Sequence, residues 1–238
     1  MELAQNIATG KEFLWINTIQ ESKKLLSLIG IPYIEAPTSA ESQCAQLVKD
    51  KIADYAISQD FDCLLFGAPF QIKNLSKSGK RKTSGKWRYY KISPLIIDLK
   101  KNLNNLKIDL FQLIDIAILI GTDYNVGIKN LGAKTSLLLV KKYGNIETII
   151  ENTQDKYDFS SLSPEKIGTI RELYLFPKVL ENHTNIIWNE PHLEGIVDFL
   201  CKDHHLNQER VENNTAKLIL AYTTCIKNFN QKEITSFI

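Results

Sequence analysis

The 238-residue sequence has few cysteines, no long apolar run and little net charge. Its four cysteines are Cys44, Cys63, Cys201 and Cys225. None forms a C-x-x-C pair, so the spacing encodes neither a zinc knuckle nor a disulfide framework. They read as buried free thiols of a reducing compartment. His204-His205, close to Cys201, lacks the spaced ligand pairs of a zinc site and reads as surface. No apolar stretch reaches the length of a bilayer span. Met1-Glu2-Leu3-Ala4-Gln5 lacks the basic and apolar regions of a signal peptide, so the expected location is intracellular. No internal repeat is present. The net charge of +2 announces no polyanionic partner by its total, which leaves the distribution of charge as the better guide.

What is present is enough for one large or two small domains with a substantial core. The hydrophobic share is 44% and the charged share 24%, as in ordinary globular chains. Residues 11–29 carry apolar positions at helical spacing, and Gly30 and Pro32 end them. Ile31 to Ala36 reads as a short strand, and Pro37-Thr38 opens a second helix through Cys44 and Val48. Asp54 to Ser58 reads as a strand, followed at once by the apolar Cys63-Leu64-Leu65-Phe66. This alternation predicts an α/β layout with a parallel sheet. Residues 68–98 read as a β-hairpin around a basic loop. From Asp109 the chain reads as helical, with a buried helix from Leu110 to Gly121 and later pieces separated by Pro164, Pro177 and Pro191. Residues 227–238 read as a detached tail.

Asp60 and Asp62 stand just past the carboxyl end of the predicted strand, at the edge where open α/β sheets bind ligands. Two carboxylates one residue apart on irregular backbone suit a hard cation such as magnesium. A solvated turn gives the same pattern. Asp123 follows the apolar helix directly, where a charge at the core boundary needs a cation or donors, or serves as a cap. Glu41 begins a helix, and Thr38 and Glu41 together also spell a T-x-x-E capping box.

Between Gly67 and Ile97 there is no acid, against eight basic residues: Lys73, Lys77, Lys80, Arg81, Lys82, Lys86, Arg88 and Lys91. Trp87, Tyr89 and Tyr90 are interleaved. Such a segment offsets phosphate charge, or is simply a solvated loop. Gly127-Ile128-Lys129-Asn130-Leu131-Gly132-Ala133-Lys134-Thr135 is similar to a Walker A loop, but Ala133 separates the glycine from the lysine, which excludes nucleotide binding of that type. It remains a glycine-bounded turn feeding a helix, able to hold a phosphate at its amides and helix terminus. A plain packing corner between helices is the alternative.

Taken together, these segments resemble the flap endonuclease branch of the XPG-type structure-specific nucleases, most closely the archaeal members. The resemblance is carried in order by Leu28-Ile29-Gly30-Ile31-Pro32, Glu41-Ser42-Gln43-Cys44-Ala45, Ser58-Gln59-Asp60-Phe61-Asp62-Cys63, Ser78-Gly79-Lys80-Arg81-Lys82, Gly121-Thr122-Asp123-Tyr124-Asn125, the glycine-rich turn, Trp188-Asn189-Glu190-Pro191 and Phe199-Leu200-Cys201. It implies an α/β fold: a PIN-like (resolvase-like) nuclease half with a parallel sheet over residues 1–125, including a basic hairpin at 68–92. A helix-two-turn-helix and mostly helical region over 126–226 and a flexible tail over 227–238 would follow. It implies a two-metal magnesium site from Glu41, Asp60, Asp62 and Asp123, hydrolysing branched or flap DNA. It implies DNA binding by Lys80, Arg81, Lys82, Lys86, Arg88, Gly127, Ile128, Lys129, Leu131, Gly132 and Lys134, with a potassium ion at the turn. Gln231, Ile234, Phe237 and Ile238 match the sliding-clamp box of the family, which implies a PCNA-like partner. Ile238 stands there in place of the second aromatic. The implied compartment is the cytoplasm of an archaeon or the nucleus of a eukaryote.

Two departures stand out. The family's amino-terminal half, with two further aspartates, part of the central sheet and a helical arch, has no counterpart here. The family's Glu-x-Glu reads Ser39-Ala40-Glu41 in this chain, and a neutral hydroxyl is a poor substitute for a carboxylate ligand. The expectation is therefore the carboxy-terminal subunit of a split nuclease completed by another chain. A catalytically inactive scaffold that binds DNA and clamp is the alternative.

Overall fold

The computed structural model describes residues 2–75, 79–82, 89–181 and 186–235, and side chains within 15–75, 92–181 and 186–226. In chain order the elements are α1 (Glu2–Leu28), α2 (Ala40–Lys49), β1 (Ala56–Ile57), α3 (Asp62–Leu65), β2 (Phe70–Lys73), β3 (Gly79–Lys82), β4 (Tyr89–Ile92) and β5 (Leu95–Asp98). Then come α4 (Leu99–Leu106), α5 (Leu110–Ile120), β6 (Gly121–Thr122), β7 (Asn125–Val126), α6 (Ala133–Tyr143), α7 (Ile146–Thr153) and α8 (Pro164–Leu175). α9 (Leu193–Val197), a π-helical turn (Asp198–Asp203) and α10 (Gln208–Thr235) complete the chain. No helix among the described residues is long and apolar enough to cross a membrane.

The chain divides into Glu35–Asn182 and a second unit of Met1–Ile34 with His183–Ile238. The boundary expected at 125/126 does not fall there. Ile114, Ile118 and Leu119 of α5 share one buried cluster with Val140 of α6, Ile146 and Ile149 of α7, and Ile167 and Ile170 of α8. A core that spans both sides of residue 125 cannot separate at it.

In the 35–182 unit, β1 pairs parallel with β2, and β2 pairs antiparallel with β5. The sheet is thus mixed rather than parallel, because the chain returns from the basic hairpin β3–β4 straight into β5 without a crossover helix. α5 is set by a capping box in which Asp109 accepts the Gln112 amide at 2.7 Å and Gln112 Oε1 accepts the Asp109 amide at 3.2 Å. Asp115, fully buried in this apolar helix, accepts Arg171 Nε at 2.7 Å, Arg171 Nη2 at 2.8 Å and the Ile146 amide at 3.1 Å. Arg171 also reaches Glu147 and lies over the Phe111 ring, 4.3 Å from its centroid. One guanidinium thereby joins α5, α7 and α8 with its planar fork.

The strand expected over Ile31–Ala36 is absent. Pro32 has no N–H to give a ladder, and the Ile31 amide closes α1 by bonding Leu26 O at 2.9 Å. Gly30, at φ +76°, lies so close to the Asn189 carbonyl that a Cβ would sit 2.0 Å from its oxygen. Asn189 N donates to Gly30 O at 2.9 Å and His192 N to Leu28 O at 2.8 Å. The glycine is required both by its conformation and by this approach. The tail expected from residue 227 continues α10 to Thr235, since nothing in Gln231-Lys232-Glu233 breaks a helix. Ser236–Ile238 lie outside the described residues.

Candidate metal centre

The four acids expected to bind metal stand on four different pieces of backbone. Asp60 lies in the turn after β1, where its amide donates to Ser58 Oγ at 3.1 Å. The side chain of Gln71, fully buried on β2, donates from Nε2 to Asp60 O at 2.5 Å and to Ser58 O at 3.4 Å. The strand therefore holds the turn that carries Asp60. Asp62 opens the short helix α3, which the apolar residues Cys63, Leu64 and Leu65 bury.

Glu41 stands in the first turn of α2. The capping box expected from Thr38 and Glu41 is not formed. The helix starts at Ala40, so Ser39 is the N-cap, accepting from Glu41 N at 3.2 Å and Ser42 N at 3.4 Å. Thr38 Oγ1 instead donates to Lys178 O at 3.0 Å. Ser39 Oγ also donates to Glu41 Oε2 at 2.8 Å, so the residue at the family's first Glu position binds the second one.

Asp123 sits at the tip of the β6–β7 hairpin. Buried Asn125 braces that tip, its Nδ2 donating to Ile118 O at 2.8 Å and to Val126 O at 3.1 Å, while its Oδ1 accepts from Thr122 Oγ1 at 2.7 Å. Tyr174, buried at 2% exposure, packs edge-on to Tyr124 at 5.6 Å. Gly121 enters the hairpin at φ +115°, and a Cβ on Gly127 would lie 1.7 Å from Ile120 O.

Electrostatics connects these acids. The Asp62 carboxyl is pushed above the usual range by burial, then by the charges of Asp123, Glu41 and Asp60. Tyr124 is raised by burial and by Asp123, Asp62 and Glu41. Burial, with help from neighbouring Cys44, Glu41 and Asp62, pushes the Cys63 thiol up to about 12, which leaves it inert as a nucleophile. The acids thus share one neighbourhood, although among the described residues no three His, Cys, Asp or Glu side chains are grouped closely enough to hold a metal ion.

The nucleic-acid residues expected from the sequence divide into three sets. Lys80, Arg81 and Lys82 lie on β3, paired with Lys91, Tyr90 and Tyr89 of β4, and their side chains are outside the described residues. Lys86 and Arg88 lie outside them altogether, as do Phe237 and Ile238, while Gln231 and Ile234 lie on α10 without described side chains. Around the glycine turn, Lys129, Gly132 and Lys134 are exposed, with Gly132 at the N-cap of α6. Ile128 and Leu131 are core residues at 4% exposure, and their amides are bonded to Leu119 O and Ile128 O. Their side chains hold the turn to the core and do not face solvent.

Sequence reasoning did not single out Gln71, Asn125 or the Asp115–Arg171 pair. A polar residue inside an apolar strand or helix was the available signal, since each must be hydrogen-bonded where it is buried.

The XPG I-region model matches residues 30–123, which contain all four acids. Flap endonuclease 1 of Methanosarcina acetivorans is 37% identical over 97% of this chain and 66% of its own length. The chain belongs to the XPG/flap endonuclease family. Among solved structures, the flap endonuclease-1 of Methanococcus jannaschii superposes with a TM-score of 0.69 at 33% identity, over 85% of this chain and 57% of that one. The catalytic core of Rad2 in complex with DNA substrate superposes with a TM-score of 0.70 at 26% identity, over 87% and 71%. This member of the flap endonuclease family thus spans about 57–66% of the length of the archaeal flap endonuclease 1 relatives it resembles.

Proposed function

We propose that this chain is the carboxy-terminal part of a 5′-flap structure-specific endonuclease acting on branched DNA in replication and repair. The site is completed by the part of a flap endonuclease that this chain does not match. The observation that carries this reading is the convergence of Asp60, Asp123 and Glu41 on the electrostatics of Asp62, in a chain of this family.

The donor set fits magnesium in kind, being all carboxylate oxygen, but among the described residues no three of these groups stand close enough together to hold an ion by themselves. When bound, a pair of magnesium ions supplies an activated water and charge for the leaving oxygen of an in-line displacement. The chain's own residues position and bind. Gln71 fixes the Asp60 turn, Asn125 fixes the Asp123 hairpin and Ser39 holds Glu41. Lys80, Arg81, Lys82, Lys86 and Arg88 take phosphates of the branched substrate through the β3–β4 hairpin. In our reading the Gly127–Gly132 turn and α6 form a helix-two-turn-helix that grips duplex DNA through Lys129, Lys134 and free backbone groups, with potassium as its cation. Gln231, Ile234, Phe237 and Ile238 engage a sliding clamp.

A second reading, an inactive scaffold for DNA and clamp, is favoured by one observation. Ser39 occupies the family's first Glu position and ties up Glu41. The test is magnesium-dependent cleavage of a labelled 5′-flap duplex by this chain, alone and with the complementary part of a flap endonuclease. Cleavage with the complement supports the enzyme. DNA binding without cleavage in either case supports the scaffold.

A further inference from the structure

An aromatic cleft opens between α8 and the β6–β7 hairpin. Tyr124, Leu173 and Phe176 wall it, Phe66 lines it from below, and it encloses about 410 Å³. Phe66 is buried and packs on Tyr174 with ring centroids 4.9 Å apart, so the floor belongs to the core. The walls do not: Phe176 is 79% exposed, and Tyr124 and Leu173 are exposed as well. Large apolar side chains that share one hollow at the surface mark a binding site rather than scattered surface apolarity.

Phe176 is held in place from both sides. It ends α8, its amide bonded to Glu172 O at 2.8 Å. The chain beyond it is clamped to α2. Buried Gln43 accepts the Leu180 amide on Oε1 at 2.8 Å and donates from Nε2 to Leu180 O at 3.1 Å, while Thr38 Oγ1 donates to Lys178 O at 3.0 Å. An aromatic on such fixed backbone loses little freedom when a flat ring stacks on it. The cleft also adjoins the acids. Ser39 lines it and binds Glu41, and Tyr124 follows Asp123 directly.

The lining selects the occupant. Lys178 and Glu172 offset one another, so the cleft favours a neutral group over an anion or a cation. The hydroxyls of Thr38 and Thr169 donate to Lys178 O and Glu165 O, which leaves their lone pairs for an incoming N–H. A space of this size takes one flat ring system, whereas a helix or strand of a protein partner needs a much larger face. A nucleobase is neutral, flat on both faces and edged with N–H groups.

We propose that Tyr124, Leu173 and Phe176 form a stacking subsite for one unpaired base of the DNA strand that is cut, with Phe176 as its platform. The identity of the strand rests on the nuclease reading above. A base must leave its helical stack to enter the cleft, so the subsite favours frayed or displaced strands over intact duplex.

The test measures binding of a labelled 5′-flap duplex to the full chain in magnesium buffer by fluorescence anisotropy. The duplex is used intact and with one abasic nucleotide at each position about the junction in turn. Phe176→Ala is expected to weaken binding of the intact duplex about fivefold or more, and Phe176→Trp to retain it. One abasic position is expected to give the same loss with the unsubstituted chain and no further loss with Phe176→Ala. Far-UV spectra matching the unsubstituted chain check that the variants fold. Unchanged affinity in Phe176→Ala, a loss that Phe176→Trp does not restore, or losses that add at every abasic position overturn the proposal. So does retained DNA affinity with self-association that Phe176→Ala abolishes, because it assigns the cleft to a second copy. Cleavage with the complementary part of a flap endonuclease is read separately. A Phe176-dependent base contact without cutting upholds the subsite and removes the nuclease reading, and cutting with DNA affinity indifferent to Phe176→Ala does the reverse.

Discussion

Ser39 and Glu41 are bonded in both directions, the Ser39 hydroxyl donating to Glu41 Oε2 at 2.8 Å and accepting the Glu41 amide at 3.2 Å. One small side chain therefore caps α2 and anchors a carboxylate. Ser39→Ala is expected to lower stability by about 1 kcal/mol, the usual effect of losing a helix cap, measured by urea denaturation. An unchanged midpoint contradicts the cap. Ser39→Glu restores the family's acid pair, and calorimetric titration is expected to show tighter magnesium binding than in the unsubstituted chain.

Asp62 carries an unfavourable charge. Its carboxyl titrates above the ordinary range because of burial and of Asp123, Glu41 and Asp60. A carboxyl raised in the folded state favours folding below its unfolded pKa, and that contribution is lost as pH rises through the folded value. In metal-free buffer near neutral pH, Asp62→Asn is thus expected to raise Tm, and the difference is expected to vanish as pH falls below the ordinary aspartate range. Magnesium is expected to raise the Tm of the unsubstituted chain more than that of the variant. Equal Tm values at all pH contradict the shared neighbourhood.

Arg171 is the cation paired with the fully buried Asp115. Arg171→Met leaves Asp115 uncompensated and is expected to destabilise the 35–182 unit by about 3–5 kcal/mol. The double variant Asp115→Leu/Arg171→Met is expected to regain much of the loss, which urea denaturation of all three forms resolves. A milder single than double variant contradicts the pairing.

Gly127 has no room for a side chain. Gly127→Ala places a methyl against Ile120 O and is expected to destabilise by about 1–3 kcal/mol through a forced backbone shift. Gly132→Ala, with open space at its Cβ, is expected to be nearly neutral. Thermal melts of the two variants compare them directly.

Where three of the acids stand in the fold was legible because the signals are contiguous. Asp60 and Asp62 follow a strand, and Asp123 follows an apolar helix, so their positions at element ends could be read from periodicity alone. The cap of α2 was not legible, since Thr38 and Ser39 are both good N-caps and a carbonyl at Lys178, far along the chain, decides between them. The Asp115–Arg171 pair spans 56 residues, and no local pattern selects one arginine among the basic residues. The mixed sheet was missed because helix–strand alternation stops at residue 66, and the direction of β5 is set by the hairpin that follows. The boundary at 125/126 failed for a related reason. Family segments mark stretches of sequence, whereas units are set by which apolar faces share a core.

Glu41, Asp60, Asp62 and Asp123 are expected to serve one metal-dependent nuclease site. Its most direct test is cleavage of a labelled 5′-flap duplex by this chain combined with the complementary part of a flap endonuclease, with and without magnesium. The expected result is cutting near the junction that needs magnesium and is lost in both Asp62→Asn and Asp123→Asn. Cutting that survives both substitutions, or a correctly assembled complex that binds the flap and never cuts it, would contradict it.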